Sequence, residues 1–204
     1  MGLDKSKPDI EKSPAALWLI PATVIGVSVL IMLAGDAGRE LLRYDRVWIG
    51  QGEAWRLLSG HFTHLGWPHL ALNSAGLLLI WFLVGGAYAM RSWVLIVAVS
   101  IASIDISFWF LNPELYWYVG MSGLLHGLLA AGIVSQLRHI DAETGVLLVL
   151  LIAKISWEQF GGPMPGSETT SGGPVVVDAH LYGALGGILG ALLAIIRVEP
   201  QSPI

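Results

Sequence analysis

Four residues have the types and spacing to do chemistry together. Ser122 lies in Gly120-Met121-Ser122-Gly123 at the head of one apolar run, and His180 lies in Ala179-His180-Leu181-Tyr182-Gly183 at the head of another. His69 and Asn73 open a third, four residues apart and so on one helical face. A serine hydroxyl is a weak nucleophile that needs an adjacent base, and histidine is the usual one. At a helix N-terminus, free N–H groups and the helix dipole stabilise an oxyanion beside Ser122. His69 and Asn73 either add side-chain donors to that site or tie their helix to the preceding loop. Gly120 and Gly123 allow a tight turn and close approach of a substrate backbone. Each polar group is costly in lipid when unpaired, which favours mutual contact. No acid is evident to orient His180. Asp178 is two residues away and points elsewhere on a helix, and Tyr182 is also off the His180 face. The set reads as the Ser–His dyad of a serine hydrolase within a membrane.

Membrane helices must position these groups. Of the 204 residues, 54% are hydrophobic and 13% charged, against about 25% charged in a typical soluble domain. Mean hydropathy is +0.67. These values argue against a soluble globule, a disordered chain and a nucleic-acid binder. Net charge is −4 with no basic run, so no polyanion partner is implied. The absence of cysteine excludes disulfides, thiolate metal sites and cysteine nucleophiles. The 25 glycines suit closely packed membrane helices.

Residues 1–14 read as a charged, solvated tail, 15–196 as a single membrane domain and 197–204 as a second short tail. Ala15 to Gly35 is a 21-residue run without charge, too long for the about 7–15-residue core of a cleaved signal. Five further spans are predicted at about His69–Gly86, Ser92–Leu111, Ser122–Leu137, Gly145–Phe160 and Val177–Ile196. The Ser122 span has 16 residues, short of the roughly 20 needed to cross, and so is expected to start inside the membrane. The chain is therefore expected to be all-α, with six transmembrane helices.

Between the first two spans, Asp36–Pro68 holds four arginines, four acids and three tryptophans, and is expected to fold, partly at the interface. Six spans put both termini on one side. That side carries Lys5, Lys7, Lys12, Arg91, Arg138 and Arg197, against Arg39, Arg43, Arg46 and Arg56 opposite. The bias places both termini in the cytoplasm. Spans two, four and six then run from outside to inside, and their polar starts share one level of the membrane.

The set Trp55-Arg56, His69-xxx-Asn73, Gly120-Met121-Ser122-Gly123 and His180-xx-Gly183-xxx-Gly187 resembles the rhomboid intramembrane serine proteases, over roughly Glu53 to Leu193. The resemblance implies a six-helix rhomboid-like bundle, a Ser122–His180 dyad, and an oxyanion hole using His69, Asn73 and the Ser122 backbone. Tyr118–Leu128, Lys154–Gln159 and Gly173–Gly183 look like the rhombosortase subfamily. That narrower resemblance implies a bacterial inner-membrane enzyme opening to the periplasmic side. Its substrates would be exported, membrane-anchored proteins with a Gly-Gly, apolar-helix, basic-end C-terminal tail. No cofactor or metal is implied. The alternatives are a catalytically silent rhomboid-like protein that binds membrane clients, and a haem- or ion-handling protein using paired histidines.

Other polar residues have plainer readings. Trp55 and Arg56 are expected to hold the long connection's shape, Arg56 through its five donors. Gly183 and Gly187 are packing positions that let span six approach span four, and Gly186 and Gly190 repeat the spacing for another contact. His61, His64 and His69 lack the nearby ligands that would complete a metal site, apart from Glu53. His126, on the Ser122 face, either tunes the site or makes a structural hydrogen bond, and His139 reads as a solvated helix-end residue. Asp105 and Lys154 fall at comparable depth and are candidates for a buried pair, unless Lys154 pairs with Glu158 at i+4 or snorkels.

Overall fold

A chain in lipid must satisfy its backbone polar groups internally, so the apolar runs fold as helices. The computed structural model describes residues 18–137 and 140–198. The tail 1–14, residues 15–17 of the first expected span, Arg138, His139 and residues 199–204 lie outside the described residues. The first apolar helix is α1, Leu19–Leu33. Long helices follow at α5, Trp67–Val84, α6, Met90–Leu111, α8, Ala142–Gly161, and α10, Asp178–Val198, with the shorter α7, Ser122–Ser135, between α6 and α8. Helix α10 includes Arg197. Among the described residues, four helices are long and apolar enough to cross a membrane, namely the four long ones, while α1 and α7 are shorter apolar helices.

The long connection folds, as its polar content requires. It forms the short helices α2, Gly35–Leu42, α3, Arg46–Gly50, and α4, Trp55–Ser59, followed by a 3₁₀ turn at Gly60–Phe62. A two-residue strand β1, Tyr44–Asp45, pairs antiparallel with β2, Trp117–Tyr118, in the register Tyr44↔Tyr118. This small ladder pins the connection to the segment leading into α7, within a fold that is otherwise helical. Asp45 caps α3 by accepting from the Val47 and Trp48 N–H groups.

The connection's arginines are structural. Arg46 donates to the carbonyls of Phe108 and Trp109 at 3.0 and 2.6 Å, satisfying the orphan C-terminal end of α6. Arg56 is 4% exposed; its guanidinium reaches the carbonyls of Glu40 at 2.7 Å and Arg43 at 3.1 Å and the Glu53 carboxylate at 2.6 Å. Arg56 thus holds the connection as expected. Trp55 is 49% exposed.

The core sits where α5, α6, α7 and α10 meet, around Leu77, Trp81, Trp93, Ile96, Leu124 and Leu128. Helices α7 and α10 touch backbone to backbone. A Cβ on Gly183 would overlap the Gly123 carbonyl, and one on Gly187 would overlap that of Gly127. Gly186 and Gly190 face α6 instead, against Ser100, Ser103 and Ile96. Small residues at four-residue spacing let helices approach this closely in lipid, where no hydrophobic force drives them together. Helix α8 starts at Asp141, whose carboxylate accepts from the Thr144 N–H at 2.8 Å. It packs through Leu147, Leu148, Leu151 and Ile155 and turns Val149, Ile152 and Phe160 outward.

Candidate active site

The site is built by helix ends. Gly120 has φ +121°, a conformation open to glycine, and turns the chain into α7 so that Ser122 falls in its first turn. Met121 is the N-cap, with no side-chain cap, and Ser122 is the first residue of α7. The Gly123–Gly183 contact brings the first turn of α10 against it, and Ser122 Oγ lies 2.9 Å from His180 Nε2. His180 is 4% exposed.

His69 and Asn73, on the first turns of α5, reach the same place. A Cβ on Gly120 would meet His69 Cε1 at 2.9 Å and Asn73 Nδ2 at 3.9 Å, so both side chains flank the turn before Ser122. The Leu65 N–H donates to His69 Nδ1 at 3.4 Å, which leaves the proton of a neutral ring on Nε2, the atom facing the turn. Asn73 Nδ2 is buried without a partner among the described residues. A buried unpaired donor is costly, and one beside a serine is poised for a developing negative oxygen. Outside the spans, burial and the neighbouring His69 push the His64 imidazole down to about 3, so it stays neutral beside the site.

All four expected residues line one cavity of about 310 Å³, together with Tyr118, His126, Lys154 and Glu158. Its outer wall is the segment after α8, including Met164, Thr170, Pro174 and Val176. This segment contains the short helix α9, Ser167–Ser171.

Three neighbours differ from, or resolve, the sequence expectations. The absence of an orienting acid is corrected: Glu158 Oε2 lies 2.7 Å from His180 Nδ1. Helix α8 runs opposite to α7 and α10, so its C-terminal end meets their N-terminal ends, and the acid lies on a different helix from His180. The Asp105–Lys154 pair is also not formed. Lys154 Nζ donates to Glu158 Oε1 at 2.5 Å, one turn along the same helix, while Asp105 lies 3.2 Å from His61 Nε2. His126 makes a structural hydrogen bond and lies against His180. Its Nδ1–H donates to the Ser122 carbonyl at 2.7 Å, and its ring stacks on His180 with centroids 4.2 Å apart. Asp178 is turned away, accepting from Asn112 Nδ2 at 2.6 Å, and Tyr182 donates to Asn112 Oδ1.

His126, Glu158 and His180 offer donor atoms within 4.8 Å of one another. The Lys154 ammonium already supplies the positive charge there. The geometry is that of a serine with a base and two further donors lining one cavity.

The family model described as the Rhomboid domain matches residues 51–197. No curated protein matches the chain.

Proposed function

Because the chain belongs to the rhomboid family, a family of intramembrane serine proteases and multi-pass membrane proteins, we propose that it is an active intramembrane serine endopeptidase with Ser122 as nucleophile and His180 as base. The observation that carries this reading is the 2.9 Å contact of Ser122 Oγ with His180 Nε2 inside a cavity shared with His69 and Asn73. Silent members of such a family need neither group in place.

The steps follow from that contact. Ser122 Oγ attacks the scissile carbonyl as its proton passes to His180 Nε2. The oxyanion forms against the first N–H groups of α7, His69 Nε2–H and Asn73 Nδ2. The C–N bond breaks, His180 returns the proton to the leaving amine, and an acyl ester remains on Ser122. Water then attacks the ester, delivering its proton through His180, and frees Ser122. Small residues around the serine favour small residues in the substrate.

The finer reading is rhombosortase-like. The chain would form one domain of six spans, with α1 and the short α7 completing the four long helices. It would sit in a bacterial inner membrane with both termini cytoplasmic. The substrate, a membrane-anchored exported protein, would enter from the periplasmic side, between α5 and α8, as the resemblance implies. Cleavage would fall near a Gly-Gly that precedes an apolar helix and a basic end. The stretches Tyr118–Leu128, Lys154–Gln159 and Gly173–Gly183 support this reading.

The test mixes purified wild type and Ser122→Ala in liposomes with a fusion protein bearing such a tail, and reads the products by mass spectrometry. A fluorophosphonate probe is applied in parallel. Cleavage near the Gly-Gly and probe labelling by wild type alone are expected. Labelling without cleavage would keep the protease and remove this substrate class. Neither labelling nor cleavage would leave a silent client-binding protein.

A further inference from the structure

Proton transfer from Ser122 requires the lone pair of His180 to lie on Nε2. A neutral imidazole has two tautomers, and which one is present is set by the partner of the other nitrogen. We propose that Glu158 is the positioning residue of this site, holding the His180 proton on Nδ1 and the ring in line with Ser122, so that the site is a Ser122–His180–Glu158 triad rather than a dyad. The inference rests on the serine-protease reading.

Glu158 is 3% exposed, and its carboxylate is divided between two tasks. Oε2 accepts from His180 Nδ1–H at 2.7 Å, and Oε1 accepts from Lys154 Nζ at 2.5 Å. An ionised carboxylate has no proton to give, so the proton of this contact belongs to the imidazole. Lys154 is the competitor. Its Nζ lies 3.4 Å from the same Nδ1, and donation there would put the ring proton on Nε2, facing Ser122. The base would then be lost. The shorter carboxylate contact selects the productive tautomer, and by engaging the ammonium it turns the competing donor aside.

The other groups facing the ring leave this assignment intact. His126, from α7, stacks on its face with planes 18° apart and spends Nδ1 on the Ser122 carbonyl. Ser122 takes Nε2. When Ser122 attacks, its proton moves to Nε2 and the ring becomes imidazolium. The Nδ1 proton stays on the ring, and the carboxylate stabilises the new charge without taking a proton. A buried cation needs such a partner, and in lipid the need is greater.

The experiment compares wild type with Glu158→Gln, a same-shape variant, in detergent. Three quantities are read: the nitrogen-15 spectrum of the His180 ring, the fluorophosphonate labelling rate, and the thermal midpoint. Wild type is expected to carry its proton on Nδ1, and Glu158→Gln to populate the Nε2–H form. The labelling rate is expected to fall on the order of 10²–10⁴-fold, through kcat rather than KM on a cleaved substrate, with the midpoint little changed. Glu158→Asp keeps the charge on a shorter arm and is expected to give an intermediate rate. Labelling of a folded Glu158→Gln at the wild-type rate would overturn the inference. So would a wild-type ring protonated on Nε2, or, if the Gln variant does not fold, an Asp variant as fast as wild type. A wild type that never labels removes the protease reading, and the nitrogen spectrum still decides the hold of Glu158 on the ring.

Discussion

Among the described residues two histidine–carboxylate pairs are buried, and only one of the two faces a hydroxyl. His180 shares Nδ1 with Glu158 at 2.7 Å and presents Nε2 to Ser122 across the cavity. His61 shares Nε2 with Asp105 at 3.2 Å, and its Nδ1 is buried without a partner among the described residues. The His61 ring lies edge-on to Tyr118 with centroids 5.6 Å apart, and Asp105 borders the exterior grooves beside Ile106. The same two residue types therefore do different work. At His61 the pair fastens the 3₁₀ turn before α5 to α6, and so holds the connection to the bundle. At His180 the carboxylate is behind the ring, and the free face of the ring meets a nucleophile. The composition of a pair says little about its role, and what decides the role is the partner of the second nitrogen and the space beyond it.

The sharpest way to break the comparison is to truncate both rings. His180→Ala is expected to lower kcat by about 10⁴-fold or more with the fold retained, read as fluorophosphonate labelling. His61→Ala is expected to do the reverse. It leaves the buried Asp105 carboxyl without its hydrogen-bond partner, a loss of about 1–3 kcal/mol, with labelling per folded molecule preserved. Equal losses of activity at the two sites would erase the distinction.

Asn73 extends the contrast to the donors. Its Nδ2 is buried and unpartnered, so Asn73→Ala removes an unsatisfied group and should not lower the thermal midpoint through a lost hydrogen bond. As an oxyanion donor its loss is expected to cost about 10²–10³ in kcat. Single-turnover cleavage measured beside thermal unfolding separates the two effects. An active variant with a lowered midpoint would return Asn73 to a structural role.

The smallest effect concerns acid. His64 has its ordinary value of 6.5 pushed down to about 3 by burial and by His69. Between those values the unfolded chain binds more protons than the folded one, so stability is full above about pH 6.5 and is lost as pH falls. His64→Gln retains a donor for the Phe62 carbonyl, which His64 now reaches at 3.1 Å, and removes the titration. Thermal unfolding of this variant between neutral and mildly acidic pH is expected to show a shallower decline than wild type. An unchanged slope would assign acid sensitivity to other groups.

Much of the site was legible because each group opens its own helix. Ser122, His180, and His69 with Asn73 each stand at the start of an apolar run, and alternation of direction along a membrane chain puts those starts at one level. Glycine spacing likewise foretold the α7–α10 contact, since a four-residue repeat of small residues marks a face by itself. Glu158 pointed to Lys154 by its spacing, but its contact with His180 has no such local sign. It sits at the far end of a span running the other way, and that end reaches the same level as His180. A carboxylate at that depth is costly enough to require a partner. The tempting match of Asp105 to Lys154 by depth failed because depth says nothing about rotation. Lys154 found its partner one turn away on α8, and Asp105 found His61 on the connection. The sequence of Asp36–Pro68 foretold that the segment folds, but its two-residue ladder to Trp117–Tyr118 is too short to leave a strand pattern.

The sequence by itself determined that the chain is built of apolar helices and which residue types start them. It also set the depth at which they meet, because hydrophobic length and direction are one-dimensional properties. The tertiary structure alone decided which face of each helix turns toward which neighbour. That rotation is set by side-chain and glycine packing across several helices at once. It separates a histidine that holds a loop from one that stands between a carboxylate and a serine.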